Sequence, residues 1–179
     1  MSTAASPPAS DAVAIVVMGV SGSGKTTVGR LLAEALGAEF VDGDDLHSEA
    51  ARAKMSHGVA LVDADRWPWL DRIGARLAES LSQRGTVIAC SALKRVYRDR
   101  LRAGAGPRLR FVYLAATPEA MRARVAARKG HYMPASLVDS QFATLEPPAA
   151  EPDVVALSAE AALPRAALAL VPQLSGAQT

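Results

Sequence analysis

The spacing of apolar positions changes repeatedly along the chain, and each change marks an element. Residues 12–18 are an unbroken apolar run rich in β-branched side chains, as in a strand buried on both faces within a parallel sheet. A glycine-rich turn follows at 19–26. Val28, Leu31, Leu32 and Ala35 then recur at helical spacing over 27–36, and Gly37 stands as a C-cap. The pattern next predicts a strand over 38–41 closed by Asp42, a helix from Leu46 to about Met55, and a loop from Gly58 to Asp65. A helix over 67–81 is carried by Trp67, Leu70, Ile73, Leu77 and Leu81. Strands at 86–90, 110–114 and 153–157 alternate with a charged helix at 94–101, a helix from Thr117 (N-cap) and Pro118 to about Arg128, and helices at 136–145 and 161–170. This alternation predicts a five-stranded parallel α/β sheet flanked by helices. No internal repeat interrupts it. Residues 146–152 hold three prolines but are too few to separate domains.

Composition narrows the class. The chain has 179 residues, half of them hydrophobic and 21% charged, enough for one core of its own. Aromatic residues are only 4%, so that core is built mainly from Ala, Val and Leu. Twenty Lys and Arg against eighteen Asp and Glu give a net charge of +2, too balanced to imply nucleic acid or a membrane surface as partner. No apolar run approaches the ~18 residues of a membrane span. Residues 1–11, small, polar and proline-containing, are expected to be a disordered tail without the basic start of a signal peptide, ahead of a single domain over 12–179. One cysteine, Cys90, forms no internal disulfide and no zinc cluster, which suits a reducing cytoplasmic setting. Its place at the end of a buried strand makes it a small core hydrophobe.

The turn after the first strand carries the chemistry. Gly19, Val20, Ser21, Gly22, Ser23, Gly24, Lys25 and Thr26 fit G-x-x-x-x-G-K-[ST] between a predicted strand and a predicted helix. In such a loop backbone N–H groups, including that of Thr27, converge on phosphate oxygens at a helix N-terminus. Lys25 reaches the β- and γ-phosphates, and the Thr26 hydroxyl is a Mg²⁺ ligand. The motif points to ATP but not to a reaction. A GTPase needs a guanine-reading Asn, and this chain contains no Asn. A motor or transport ATPase needs more chain and an acid ending a strand beside the loop, where this chain has Cys90 and Ser91. A small kinase of the nucleoside-monophosphate-kinase type remains, with a short lid. Arg124 and Arg128 share a helix face just before Gly130 and are candidates to place cations on the transferring phosphoryl group.

The acceptor side reads from Asp42-Gly-Asp44-Asp45-Leu-His47 at the end of the second strand, where an open α/β sheet lines its ligand crevice. One carboxylate, Asp42, is a candidate to hold Mg²⁺ through water, and Asp44 to orient a substrate hydroxyl. Which of the two lies nearer the metal is open, as is whether Asp44 or Asp45 instead caps a helix. His47, Arg66, Lys94, Arg98 and His131 are candidate donors to a polyhydroxy acid. Lys94 and Arg98 are expected on one helix face, with Ser91 behind them. His57 reads as a surface or cap residue, the two tryptophans as core anchors, and Gln141 stays open.

Together these segments resemble the gluconate kinase family of P-loop kinases. The resemblance rests on Asp42-Gly-Asp-Asp-Leu-His47, Met55, Leu61-Val-Asp63-Ala-Asp65-Arg66-Trp-Pro-Trp69-Leu70, Cys90-Ser-Ala-Leu-Lys94 with Tyr97-Arg98-Asp99, Arg128-Lys-Gly-His131, and Leu137-Val-Asp-Ser-Gln141-Phe-Ala-Thr-Leu145-Glu146. It spans about Ile15 to Leu157. It implies ATP-dependent phosphorylation of D-gluconate at its 6-hydroxyl with Mg²⁺, a nucleoside-monophosphate-kinase-like fold, and a homodimer. Shikimate kinase, another small-acid kinase, or a non-catalytic nucleotide-binding regulator are the alternatives.

Overall fold

The computed structural model describes residues 11–127 and 135–175. Residues 1–10 of the expected 1–11 tail, and Arg128 and His131 of the expected lid, lie outside the described residues. Five parallel strands form one sheet in the order β2-β3-β1-β4-β5: β1 (Val13–Met18), β2 (Glu39–Asp42), β3 (Gly85–Ala89), β4 (Leu109–Ala115) and β5 (Val154–Ser158). The register runs Val13 to Gly85 on one side of β1 and Ala14 to Leu109 on the other. Every residue of β1 and β3 is buried, whereas the edge strands β2 and β5 are only partly covered. The continuous apolar run of 12–18 thus reports its central position correctly.

Alternation along β1 divides the core. Val13, Ile15 and Val17 pack with Val28 and Leu32 of α1 (Lys25–Leu36) and with Met121 of α5 (Pro118–Ala127). Ala14, Val16 and Met18 face Leu70, Ile73 and Leu77 of α3 (Asp63–Ser80) and Leu101 of α4 (Arg95–Ala105). The remaining helices are α2 (Glu49–Ser56), α6 (Ala135–Thr144), α7 (Leu163–Ala169) and α8 (Val171–Leu174).

Three boundaries differ from the pattern. The expected 46–55 helix is two elements, a 3₁₀ turn at Gly43–Leu46 and α2, whose N-cap Ser48 accepts from the Ala51 N–H. The helix expected from Trp67 begins at Asp63 and contains Pro68. Asp65 reaches back to the Val62 N–H at 3.1 Å and stabilises the first turn. Burial of Trp69, Leu70 and Ile73 then outweighs the one ladder bond the proline removes. The helix expected over 161–170 is α7, two residues shorter at its start, and a further short helix, α8, follows it with Pro172 in its first turn. Thr117 and Pro118 start α5 as expected, the Thr117 hydroxyl accepting from the Ala120 N–H.

Candidate active site

Three chain segments leave the C-terminal ends of β1, β3 and β2 side by side, and the crevice forms among them. The phosphate loop follows β1. Gly24 at its end has φ +102°, a left-handed conformation, and a Cβ there would lie 2.7 Å from Leu163 Cδ1. The loop therefore turns straight into α1, whose N-terminus has no side-chain cap and no acidic residue in its first turn. Those N–H groups are left to an anion. Lys25 Nζ donates to the Val20 carbonyl at 3.0 Å. Burial pushes its ammonium below the usual lysine range, against the opposing pull of Asp44 and, more weakly, Asp42. The side chain of the phosphate loop and the carboxylates after β2 are thus electrostatic neighbours.

After β2 the chain enters the 3₁₀ turn. A Cβ on Gly43 would lie 2.4 Å from the Ala89 carbonyl of β3, so only glycine lets this turn sit on the neighbouring strand. The cap is Asp42, which accepts from the Asp44 N–H at 3.0 Å; neither Asp44 nor Asp45 plays that part. Asp44 is left free to face the crevice, with 84% of its side chain accessible. The protein mass around this open cleft still raises its carboxyl above the usual range, followed by repulsion from Asp42. His47 is buried and stacked on Trp69 at 4.2 Å with the rings 14° apart, while Trp69 Nε1 donates to the Gly43 carbonyl at 2.7 Å. Burial lowers the His47 pKa, so the imidazole is neutral near pH 7. Its Nε2 lies 4.0 Å from Asp44 Oδ1, and its Nδ1 has no hydrogen-bond partner among the described residues.

After β3 comes the turn from Cys90 to Lys94. The Gly19 N–H donates to the Ser91 carbonyl at 3.3 Å, joining this turn to the phosphate loop. Lys94 Nζ lies 3.2 Å from Asp63 Oδ2, and Arg66 Nη1 is 3.4 Å from Asp63 Oδ1 and 3.3 Å from the Tyr97 hydroxyl. Tyr97 itself donates to Asp63. This bond, more than Lys94, holds the Asp63 carboxyl below its usual range. Two cations and a phenol thus converge on one half-exposed carboxylate, a grouping that can bind the carboxylate or hydroxyls of a small acid.

On the other flank, Arg124 of α5 donates to the Gly22 carbonyl at 3.1 Å and to the Ala159 carbonyl at 2.7 Å. Its guanidinium therefore rests on the phosphate loop itself. Among the described residues no group of three or more His, Cys, Asp or Glu is arranged to chelate a metal, and no helix is long and apolar enough to cross a membrane.

A family model described as an AAA domain matches residues 15–148. The probable gluconokinase of Schizosaccharomyces pombe is 49% identical over 152 residues, covering 81% of this chain and 79% of the relative. The gluconokinase of Gluconobacter oxydans is 48% identical over 147 residues, covering 82% of each. The chain belongs to the gluconokinase family. The crystal structure of a gluconokinase from Sinorhizobium meliloti 1021 superposes with a TM-score of 0.83 at 47% identity, covering 92% of this chain and 94% of that one. The gluconokinase fold and the resemblance drawn from the spaced motifs therefore agree.

Within this gluconokinase-family site, one candidate is corrected. Arg98 does not face the crevice. It is fully buried, and its nitrogens are taken by Glu151 (2.9 and 2.6 Å) and by the carbonyls of Ala92, Leu93 and Glu146 (2.9, 3.1 and 2.9 Å). Lys94 and Arg98 do not share a helix face, because Lys94 is the extended N-cap of α4. Arg98 instead braces a turn in which Ala92 has φ +45°, a left-handed conformation that costs a non-glycine residue about 1 kcal/mol. Glu151→Gln should therefore cost about 3–5 kcal/mol of stability, since it leaves a buried guanidinium without its counter-charge; urea denaturation measures it. The two arginines hold the Glu151 carboxyl down to about 2. Its folded pKa lies below the unfolded one, so its contribution is complete above about 4.5 and is lost as pH falls towards 2. An acid-unfolding midpoint that Glu151→Gln leaves unmoved would contradict this.

Asp63 and Tyr97 carry no role in the sequence reading, and both join the acceptor-side cluster. The available signal was helical spacing: Asp63 precedes Arg66 by one turn, and Tyr97 follows Lys94 by one. Gln141, left open by the sequence, bonds the phosphate loop. His57 is the exposed C-cap of α2, and Cys90 is a buried thiol pushed up to about 12 by burial; both match expectation.

Proposed function

We propose that this protein transfers the γ-phosphoryl group of ATP to the 6-hydroxyl of D-gluconate, releasing ADP and 6-phospho-D-gluconate. The observation that carries this reading is the convergence of the phosphate loop after β1 with the Asp42–Asp44 turn after β2 and the Lys94 turn after β3, which are joined by the Gly19–Ser91 bond and by Gly43 resting on the Ala89 carbonyl; it sets a phosphate-binding loop beside a hydroxyl-accepting carboxylate. The loop amides of residues 19–27 hold the triphosphate, and Lys25 neutralises charge at the β- and γ-oxygens. Asp44 accepts a hydrogen bond from the 6-hydroxyl and takes its proton as the O6–P bond forms and the bond from P to the ADP oxygen breaks. His47 hydrogen-bonds a further hydroxyl. The gluconate carboxylate meets Arg66 and Lys94, competing with Asp63 for these two cations. Arg124, with Arg128 and His131, supplies positive charge and donors from the lid side.

The donor set suits Mg²⁺. The Thr26 hydroxyl and the Asp42 carboxylate are hard oxygen ligands, and the repulsion felt by Asp44 from Asp42 marks a place where a cation is favourable. Bound Mg²⁺ neutralises charge on the phosphate oxygens. We further read the protein as a cytoplasmic, homodimeric single-domain kinase over 12–179, without nucleic-acid or membrane partners.

A coupled ADP-release assay over a panel of sugar acids, shikimate, nucleoside monophosphates and no acceptor tests the substrate. Turnover should depend on gluconate and be small without an acceptor. Turnover with shikimate or a nucleotide but not gluconate would replace this reading.

A further inference from the structure

Gln141 of α6 spans 120 residues of sequence to hold the phosphate loop at two points. The Ser21 N–H donates to Gln141 Oε1 at 2.6 Å, and Gln141 Nε2 donates to Ser21 Oγ at 2.8 Å. An amide side chain alone offers a neutral acceptor and donor together at this spacing. Five residues on, at the end of the same segment, Glu146 holds the acceptor-side turn at three points. The Arg95 N–H donates to its Oε2 at 2.6 Å, its own N–H donates to the Leu93 carbonyl at 2.9 Å, and its carbonyl accepts from Arg98 Nη2 at 2.9 Å. Lys94 lies between Leu93 and Arg95. The end of α6 thus bonds the donor loop at one end and the residues on both sides of an acceptor-site cation at the other. The Gly19–Ser91 bond is a second, longer link between the same two loops. Arg122 anchors α6 to α5 through Asp139 at 2.6 Å.

We propose that Gln141 and Glu146 are positioning residues, and that the segment between them is a brace setting the separation of the phosphate loop from the Lys94 turn. Neither side chain is required to touch gluconate or ATP. Its effect falls on the distance and angle between the two reactants once both are bound. This rests on the reading that Lys94 faces the acceptor. Phosphoryl transfer depends on in-line alignment, and a misplacement of about 1 Å can cost about 100-fold in rate.

The test uses the full-length chain. Gln141→Leu should lower kcat by about 10- to 100-fold, with KM for ATP and for gluconate each within about threefold of wild type. Glu146→Ala, at an exposed residue, should give a smaller loss of the same kind. Because the two act as one unit, the double variant should fall no more than about twofold below Gln141→Leu alone. Hydrogen exchange of the free protein supplies a readout that needs no acceptor. Each substitution should speed exchange at both ends, in the peptide holding Ser21 and in the peptide holding Arg95. Unchanged kcat, losses that multiply, a loss confined to gluconate KM, or loosening only at each variant's own end would overturn the brace. Failure of wild type to phosphorylate gluconate would overturn the acceptor reading instead, and the exchange pattern would still decide the brace.

Discussion

Lys25→Met should abolish most phosphoryl transfer while leaving a folded and slightly more stable protein. The charge removed is the one aimed at the β- and γ-phosphates, where the reaction builds negative charge. Removing one preorganised donor of this kind costs about 10²–10³-fold in kcat. Stability should move the other way. Burial depresses the Lys25 pKa, so the folded state holds its ammonium less readily than the unfolded chain does. Such a group opposes folding while it is charged, and the opposition fades only as pH rises towards 10.5, where the unfolded chain also loses its proton. Methionine keeps the apolar stem and removes that opposition. The measurements are steady-state turnover and a thermal melt on the same preparation. Near-normal turnover by a folded Lys25→Met protein would refute the phosphate-loop assignment.

The contrast between Lys25 and Arg98 shows which parts of the site were legible in the sequence. The phosphate loop is a local motif: strand, glycines, lysine and helix are contiguous, and the backbone alone brings their N–H groups together. The strands were legible for a similar reason, since burial on two faces writes an unbroken apolar run at 12–18 and, after Thr86, at 87–90. Arg98 is different. Its meaning depends on Glu151, 53 residues away, and nothing near Arg98 separates a buried brace from a substrate-facing cation. Gln141 poses the same problem over 120 residues. The start of α3 was less legible: a proline ordinarily marks a helix boundary, yet the helix begins at Asp63 and tertiary burial of Trp69 and Leu70 carries it through Pro68. The acidic cluster was legible as a cluster but not in its division of labour. That Asp42 caps and Asp44 is left free follows from Gly43 resting on β3, a contact set by strand order.

Asp44→Asn should lower kcat by about 10²–10⁴-fold, the contribution of a positioned general base, while ATP still binds. Asparagine keeps the size and one acceptor oxygen, so the 6-hydroxyl can still be held. What it loses is the capacity to take the proton. A loose transition state needs little activation of the nucleophile, but the hydroxyl must still be aimed and must shed its proton before the product is complete. The raised carboxyl of Asp44 gives the test a second dimension. Only the carboxylate accepts a proton, so kcat/KM in the wild type should fall on the acid side through a pKa above the ordinary value of 3.8. That limb should vanish, not shift, in Asp44→Asn. Asp42→Asn should behave differently. It removes a negative neighbour, so the acid limb should move to lower pH, and its loss of turnover should be partly restored by higher Mg²⁺ if Asp42 is the metal-side acid. Rescue of Asp44→Asn by Mg²⁺ would exchange the two roles. A variant close to wild type in kcat, gluconate KM and pH profile would leave Asp44 without a part in transfer, and the base would have to be sought elsewhere in the crevice, with His47, 4.0 Å away, the first to replace.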